Sequence, residues 1–186
     1  MQAHFGEDIR LNRAEMKKFI QGLNTDQASQ TLKALLDDTP DFTKKIYDVA
    51  MKVIGGVDSD DIKEDVYFEL DMLDVEDMSN RSGRTRYGYV EPYDAAYEMF
   101  EEALYPFIEE MKKNQQRELP ILAKAHCIGI IKGLQQYENE STSDFKDWVV
   151  DAPLGYVHNV IDEWKKGKPS KEDIADIMSF VECVES

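Results

Sequence analysis

Apolar residues recur at three- and four-residue intervals along most of the chain, and that spacing predicts one amphipathic helix after another. In RAEMKKFIQGL, Ala14, Met16, Phe19, Ile20 and Leu23 fall near one side, and Gly22 with Asn24 supplies a stop. Thr25 is placed to cap the next segment, striped by Ala28, Leu32, Leu35 and Leu36. Thr39 before Pro40 marks a third start, because proline at the first helical position forfeits no hydrogen bond. Phe42, Ile46, Val49, Ala50 and Val53 form its apolar side, and Gly55 with Gly56 ends it. A fourth helix opens at Asp58 or Ser59 and carries Ile62, Val66, Leu70 and Leu73.

The pattern then lapses for about fifteen residues. It resumes after Glu91 and Pro92 in the longest segment, where Ala96, Met99, Phe100, Ala103, Leu104, Phe107, Ile108 and Met111 line one side and Glu98, Glu101, Glu102, Glu109 and Glu110 the other. Pro106 inside this run is expected to bend it. A further helix carries Leu122, Ala125, Cys127, Ile128, Ile131, Leu134 and Tyr137. Ala125, Gly129 and Gly133 repeat every fourth residue on it; two glycines on one face call for the close approach of another helix, with a ligand groove as the rarer explanation. Asp151 with Pro153 opens the next helix, and Ser170 with Asp173 makes an S-x-x-D capping arrangement for the last. The expectation is an all-α fold: a single domain over residues 1–186, built as an irregular helical bundle or a short stack of helical hairpins, with about eight or nine helices.

Charge narrows the choice of partner. The 186 residues include 22 basic and 38 acidic side chains, net −16, which disfavours direct binding to nucleic acid or anionic lipid and favours a basic protein. The opening MQAHFGEDIR has neither a basic leader nor an apolar stretch, and no window reaches the length of a membrane span, so a cytoplasmic protein without membrane contact is expected. Cys127 and Cys183, without a CxxC spacing, point to reduced, packed thiols.

Several chemistries fail on spacing. DSDDIKEDVYFE places Asp58, Asp60, Glu64 and Glu69 where a calcium loop would, but puts Ile62 and Lys63 at positions five and six. The residues three before His126 and His158 are Ala123 and Gly155, which excludes the E-x-x-H pair of a di-iron bundle. Phosphate-loop, dinucleotide and nucleophile-elbow signatures are missing as well. No cofactor and no metal is expected, and both histidines are read as partly buried helix residues.

The one concentration of candidate chemistry is MSNRSGRTRYGYVEP, which holds three of the six arginines. Its glycines, Gly83 and Gly88, permit unusual backbone angles, and Tyr87, Tyr89 and Tyr93 can anchor it. Arg81, Arg84 and Arg86 suit an anion because a guanidinium offers two parallel hydrogen bonds. In that reading Tyr87 or Tyr89 stacks or donates, and Asp77 or Glu91 serves as base. In the leading reading the arginines fasten a long loop to acidic neighbours such as Asp71, Asp74, Asp77, Glu91 and Glu98.

The stretches EDMSNRSGRTRYGYVEPYDAAYEMFEEALYPFIEEMKK and GIIKGLQQYENESTSDFKDW, within residues 58–164, resemble helical segments of uncharacterised microbial proteins, some of which carry a SWIM-type zinc finger elsewhere. The resemblance implies a helical domain that accompanies binding modules, and no activity. The finger's C-x-C and C-x-H pairs are missing, so its metal and nucleic-acid binding are not implied. The leading functional expectation is a non-enzymatic protein-interaction or scaffold domain with a basic partner. The alternative is an enzyme or small-ligand binder using the Arg81–Arg86 loop, and Trp148 and Trp164 are candidates for a homodimer face.

Overall fold

A computed structural model describes residues 12–39, 42–54, 56–86 and 88–184. Among the described residues nine α-helices and one short hairpin confirm the all-α expectation. Contacts gather the chain into two units, Met1–Gly55 and Gly56–Ser186.

The first unit contributes α1 (Arg13–Gln21), α2 (Thr25–Asp38) and α3 (Thr43–Ile54). Two of these begin with a reciprocal cap: Asn12 accepts from the Ala14 and Glu15 amides while Glu15 accepts from the Asn12 amide, and Asn24 exchanges the same bonds with Gln27. Thr25, expected as a cap, is instead the first helical residue, because the Asn24 side-chain Oδ1 accepts from the third amide of the helix, that of Gln27. Pro40 and Gly55 lie outside the described residues. No described residue from 12 to 54 is buried.

The second unit holds the hydrophobic core. It contains α4 (Ser59–Asp71), α5 (Val75–Arg81), β1 (Gly83–Thr85), β2 (Gly88–Val90), α6 (Pro92–Gln116), α7 (Pro120–Glu140), a 3-10 turn over Asp144–Trp148, α8 (Ala152–Lys165) and α9 (Lys171–Val184). The expected stripes point inward: Ile62, Val66 and Leu70 from α4; Ala96, Met99, Phe100, Leu104 and Met111 from α6; Leu122, Cys127, Ile131, Leu134 and Tyr137 from α7. Pro106 is accommodated within an α6 that runs unbroken for 25 residues.

Helix α7 is the hub, packed against α4, α6, α8 and α9. Its two glycines lie against α4: a Cβ on Gly129 would stand 2.6 Å from the Ile62 Cβ, and one on Gly133 the same distance from the Val66 Cβ. Close helix approach therefore accounts for the small-residue spacing. Since Ile62 meets Gly129 and Val66 meets Gly133, residue numbers increase together and the two helices run parallel. Polar contacts hold both ends of that pairing, with Lys132 donating to Asp60 at 2.7 Å and Ser141 to Asp71 at 2.6 Å. Lys124 ties α7 to α9 through Asp173 and Asp176.

The fifteen residues read as a long ordered loop are instead the short helix α5 and an antiparallel hairpin, with Arg84 opposite Tyr89 and Thr85 opposite Gly88. Both glycines take positive φ, +92° at Gly83 and +139° at Gly88, which side chains with a Cβ rarely adopt.

Candidate functional site

The arginine segment is fastened at its beginning. Arg81, the last residue of α5, donates to Glu102 of α6 at 2.5 Å. That hydrogen bond, reinforced by the charges of Glu98 and Asp77, raises the guanidinium pKa above its ordinary value. Glu102 was not among the carboxylates expected to serve as partners. It lies 21 positions away, and only the packing of α5 on α6 brings it near.

Beyond α5 the hairpin carries the other candidates outward. Arg84, Arg86 and Tyr89 are exposed, and the register sets Arg84 and Tyr89 on the same face of the two-stranded ladder. Among the described residues neither Arg84 nor Arg86 has an ion-pair partner. Tyr87 lies outside the described residues. Asp77 is exposed in the first turn of α5, and Glu91 is exposed at the N-terminus of α6, where its side chain makes no capping bond. Thus Arg81 is paired with Glu102, while Arg84 and Arg86 are exposed.

The surface around this hairpin is strongly acidic. Residues 58–110 contain four basic and seventeen acidic side chains, a net charge of −13, whereas residues 1–55 contain eight of each. Within α6 the acidic side also presents aromatic rings. Tyr93, Tyr97 and Tyr105 are exposed and, with Glu101, recur every fourth residue, beside exposed Asp94, Glu98 and Glu102. Tyr93 is braced by Trp148, ring centroids 5.1 Å apart. YDAAYEMFEEALY already shows this spacing, but the sequence reading followed only its apolar and glutamate positions.

Cys127 and His126 are sealed in the core, and the Cys183 side chain lies outside the described residues. Burial pushes the Cys127 thiol up to about 12, so at neutral pH it is protonated as well as inaccessible. His126 is buried, and its Nδ1 has no hydrogen-bond partner among the described residues. His158, expected to be partly buried, is exposed on α8 with Nδ1 3.1 Å from the Leu154 carbonyl oxygen. Trp164 packs in the core. A cleft of about 320 Å³ lies where α6 and α8 end, lined by Gln115, Glu118, Trp164, Lys168 and Asp173. Two of its polar groups are already engaged: the Gln115 amide donates to the Trp164 carbonyl oxygen at 2.7 Å, and Asp173 pairs with Lys124.

Among the described residues no three His, Cys, Asp or Glu side chains converge to hold a metal ion, and no helix is long and apolar enough to cross a membrane. No family model, curated protein or solved structure matches this chain.

Proposed function

We propose that the protein is an interaction module that docks a basic segment of a partner protein along the outer side of α4–α6. The observation that carries this reading is the co-localisation, on one helix, of exposed tyrosines with a surplus of carboxylates. A row of carboxylates draws in lysine and arginine, and an aromatic ring gives the arriving cation a desolvated face worth about 0.5–2 kcal/mol per contact. The charge asymmetry also speeds encounter with cationic surfaces.

The test is titration of the full chain with a fluorescent lysine- and arginine-rich peptide. Binding should weaken steeply with added salt. It should be lost in a Tyr97→Ala, Glu98→Lys double variant and be retained when Asp162 and Glu172, on α8 and α9, are reversed to lysine. Equal weakening by both sets of reversals would reduce the interaction to net charge and defeat the proposal.

The two solvent-facing guanidiniums support a second reading, in which Arg84 and Arg86 hold an anionic ligand with Tyr89 alongside and Asp77 or Glu91 as base. Here an Arg84→Ala, Arg86→Ala variant should lose binding of inorganic phosphate seen with the parent chain. Phosphate binding unaffected by the two substitutions, or undetectable in the parent, would remove this alternative.

A further inference from the structure

We propose that residues 12–54 are the contact surface between two copies of this chain. The three helices there are too short to persist on propensity alone, since isolated helices under about 12–15 residues are marginal in water. Each is amphipathic, yet within this unit none of the described apolar side chains is buried. Ten large apolar residues in this unit are exposed, with Val53 at 81%, Phe19 at 66% and Ile20 at 63%. Leu32, Phe42, Ile46, Val49 and Ala50, with Lys45, line an apolar groove of about 400 Å³ between α2 and α3.

Area and charge both select a second copy as the occupant. At roughly half exposure each, ten such side chains offer on the order of 1,000 Å², comparable to the ~800 Å² that each partner of a standard-size interface contributes. Electrostatics point the same way, because residues 1–55 balance eight basic against eight acidic side chains, so these surfaces can meet without net repulsion. The second unit carries the whole net charge of −16 and would repel its own copy. A two-fold arrangement of the apolar faces would cover both grooves at once, as closed symmetric dimers do.

Sedimentation equilibrium and light scattering on the full chain provide the test. The expected particle has twice the chain mass of 21.4 kDa, with a dissociation constant little changed by salt. A Phe19→Asp, Val53→Asp variant should dissociate at least a hundredfold more readily while Trp148 and Trp164, both in the second unit, keep their native fluorescence. Phe68→Asp, at an exposed position on α4, should leave the dimer intact. A mass of one chain at every concentration would overturn the proposal, whether the face is covered by its own chain, by another protein or by anionic vesicles added as a probe. So would a dimer broken by Phe68→Asp and not by the first variant. Neither outcome bears on capture of a basic peptide, which is read by its own salt dependence.

Discussion

A methyl group on Gly129 would meet the Ile62 Cβ at 2.6 Å and the Ser59 carbonyl oxygen at 2.8 Å, inside the separations that real Cβ atoms keep. Backbone is one of the obstacles, so no rotamer change relieves it. Gly129→Ala should therefore destabilise by about 1–3 kcal/mol, overpacking outweighing the better helix propensity. Gly155, exposed on α8 with nothing within 4 Å of where a Cβ would stand, is the control: alanine there should stabilise by about 0.5–1 kcal/mol. Urea unfolding followed by tryptophan fluorescence separates the two signs. His126 gives a pH signature. Burial holds its imidazole below the ordinary 6.5, opposed by the Glu110 carboxylate. Below pH ~6.5 the unfolded chain takes up a proton that the folded chain does not, so stability should fall as pH drops from 6.5 towards the lowered folded value. Glu110 and Asp173 have depressed pKa values, held down chiefly by hydrogen bonds from Lys113 and Lys124, and their contributions are lost only at lower pH, through and below their ordinary 4.5 and 3.8. Urea midpoints between pH 5 and 8 should slope in the parent chain and flatten in His126→Leu.

At the level of single elements, α5 shows which contact fastens the arginine segment. Met78, on its inner side, is 2% exposed, whereas Arg81 and Glu102 are each about half exposed. Surface ion pairs contribute at most about 1 kcal/mol, while truncating a buried methionine costs about 2–5. Met78→Ala should thus be far more damaging than Arg81→Ala, a ranking that thermal unfolding of the two variants checks. The same element marks the limit of sequence reading. Long stripes such as Met99–Phe100–Leu104–Met111 repeat often enough to reveal both helix and buried side. A seven-residue helix with a single buried residue, followed by two three-residue strands, has no repeat to detect. Glu102 was illegible as the partner of Arg81 because the pairing depends on how α5 meets α6. The tyrosine spacing on α6 was legible in principle, since it follows the helical period.

For the whole molecule, periodicity disclosed apolar sides without disclosing what covers them, and so the stripes of residues 12–54 read the same as those of α4 or α6. Hydrogen exchange should separate them: α7 amides slowest, and those of α1–α3 rapid at dilutions where the chain is single and slowed as concentration rises. The acid surplus of the second unit should make added salt raise the unfolding temperature by a few degrees, as screening relieves more repulsion than it weakens attraction. The parallel pairing of α4 with α7 also bears on how the chain is synthesised. Ile62 and Gly129 are 67 positions apart, so α4 leaves the ribosome well before the groove that receives it exists. Until then Ile62, Val66 and Leu70 have no permanent seat, and a nascent chain stopped short of α7 would offer that greasy side to chaperones and proteases.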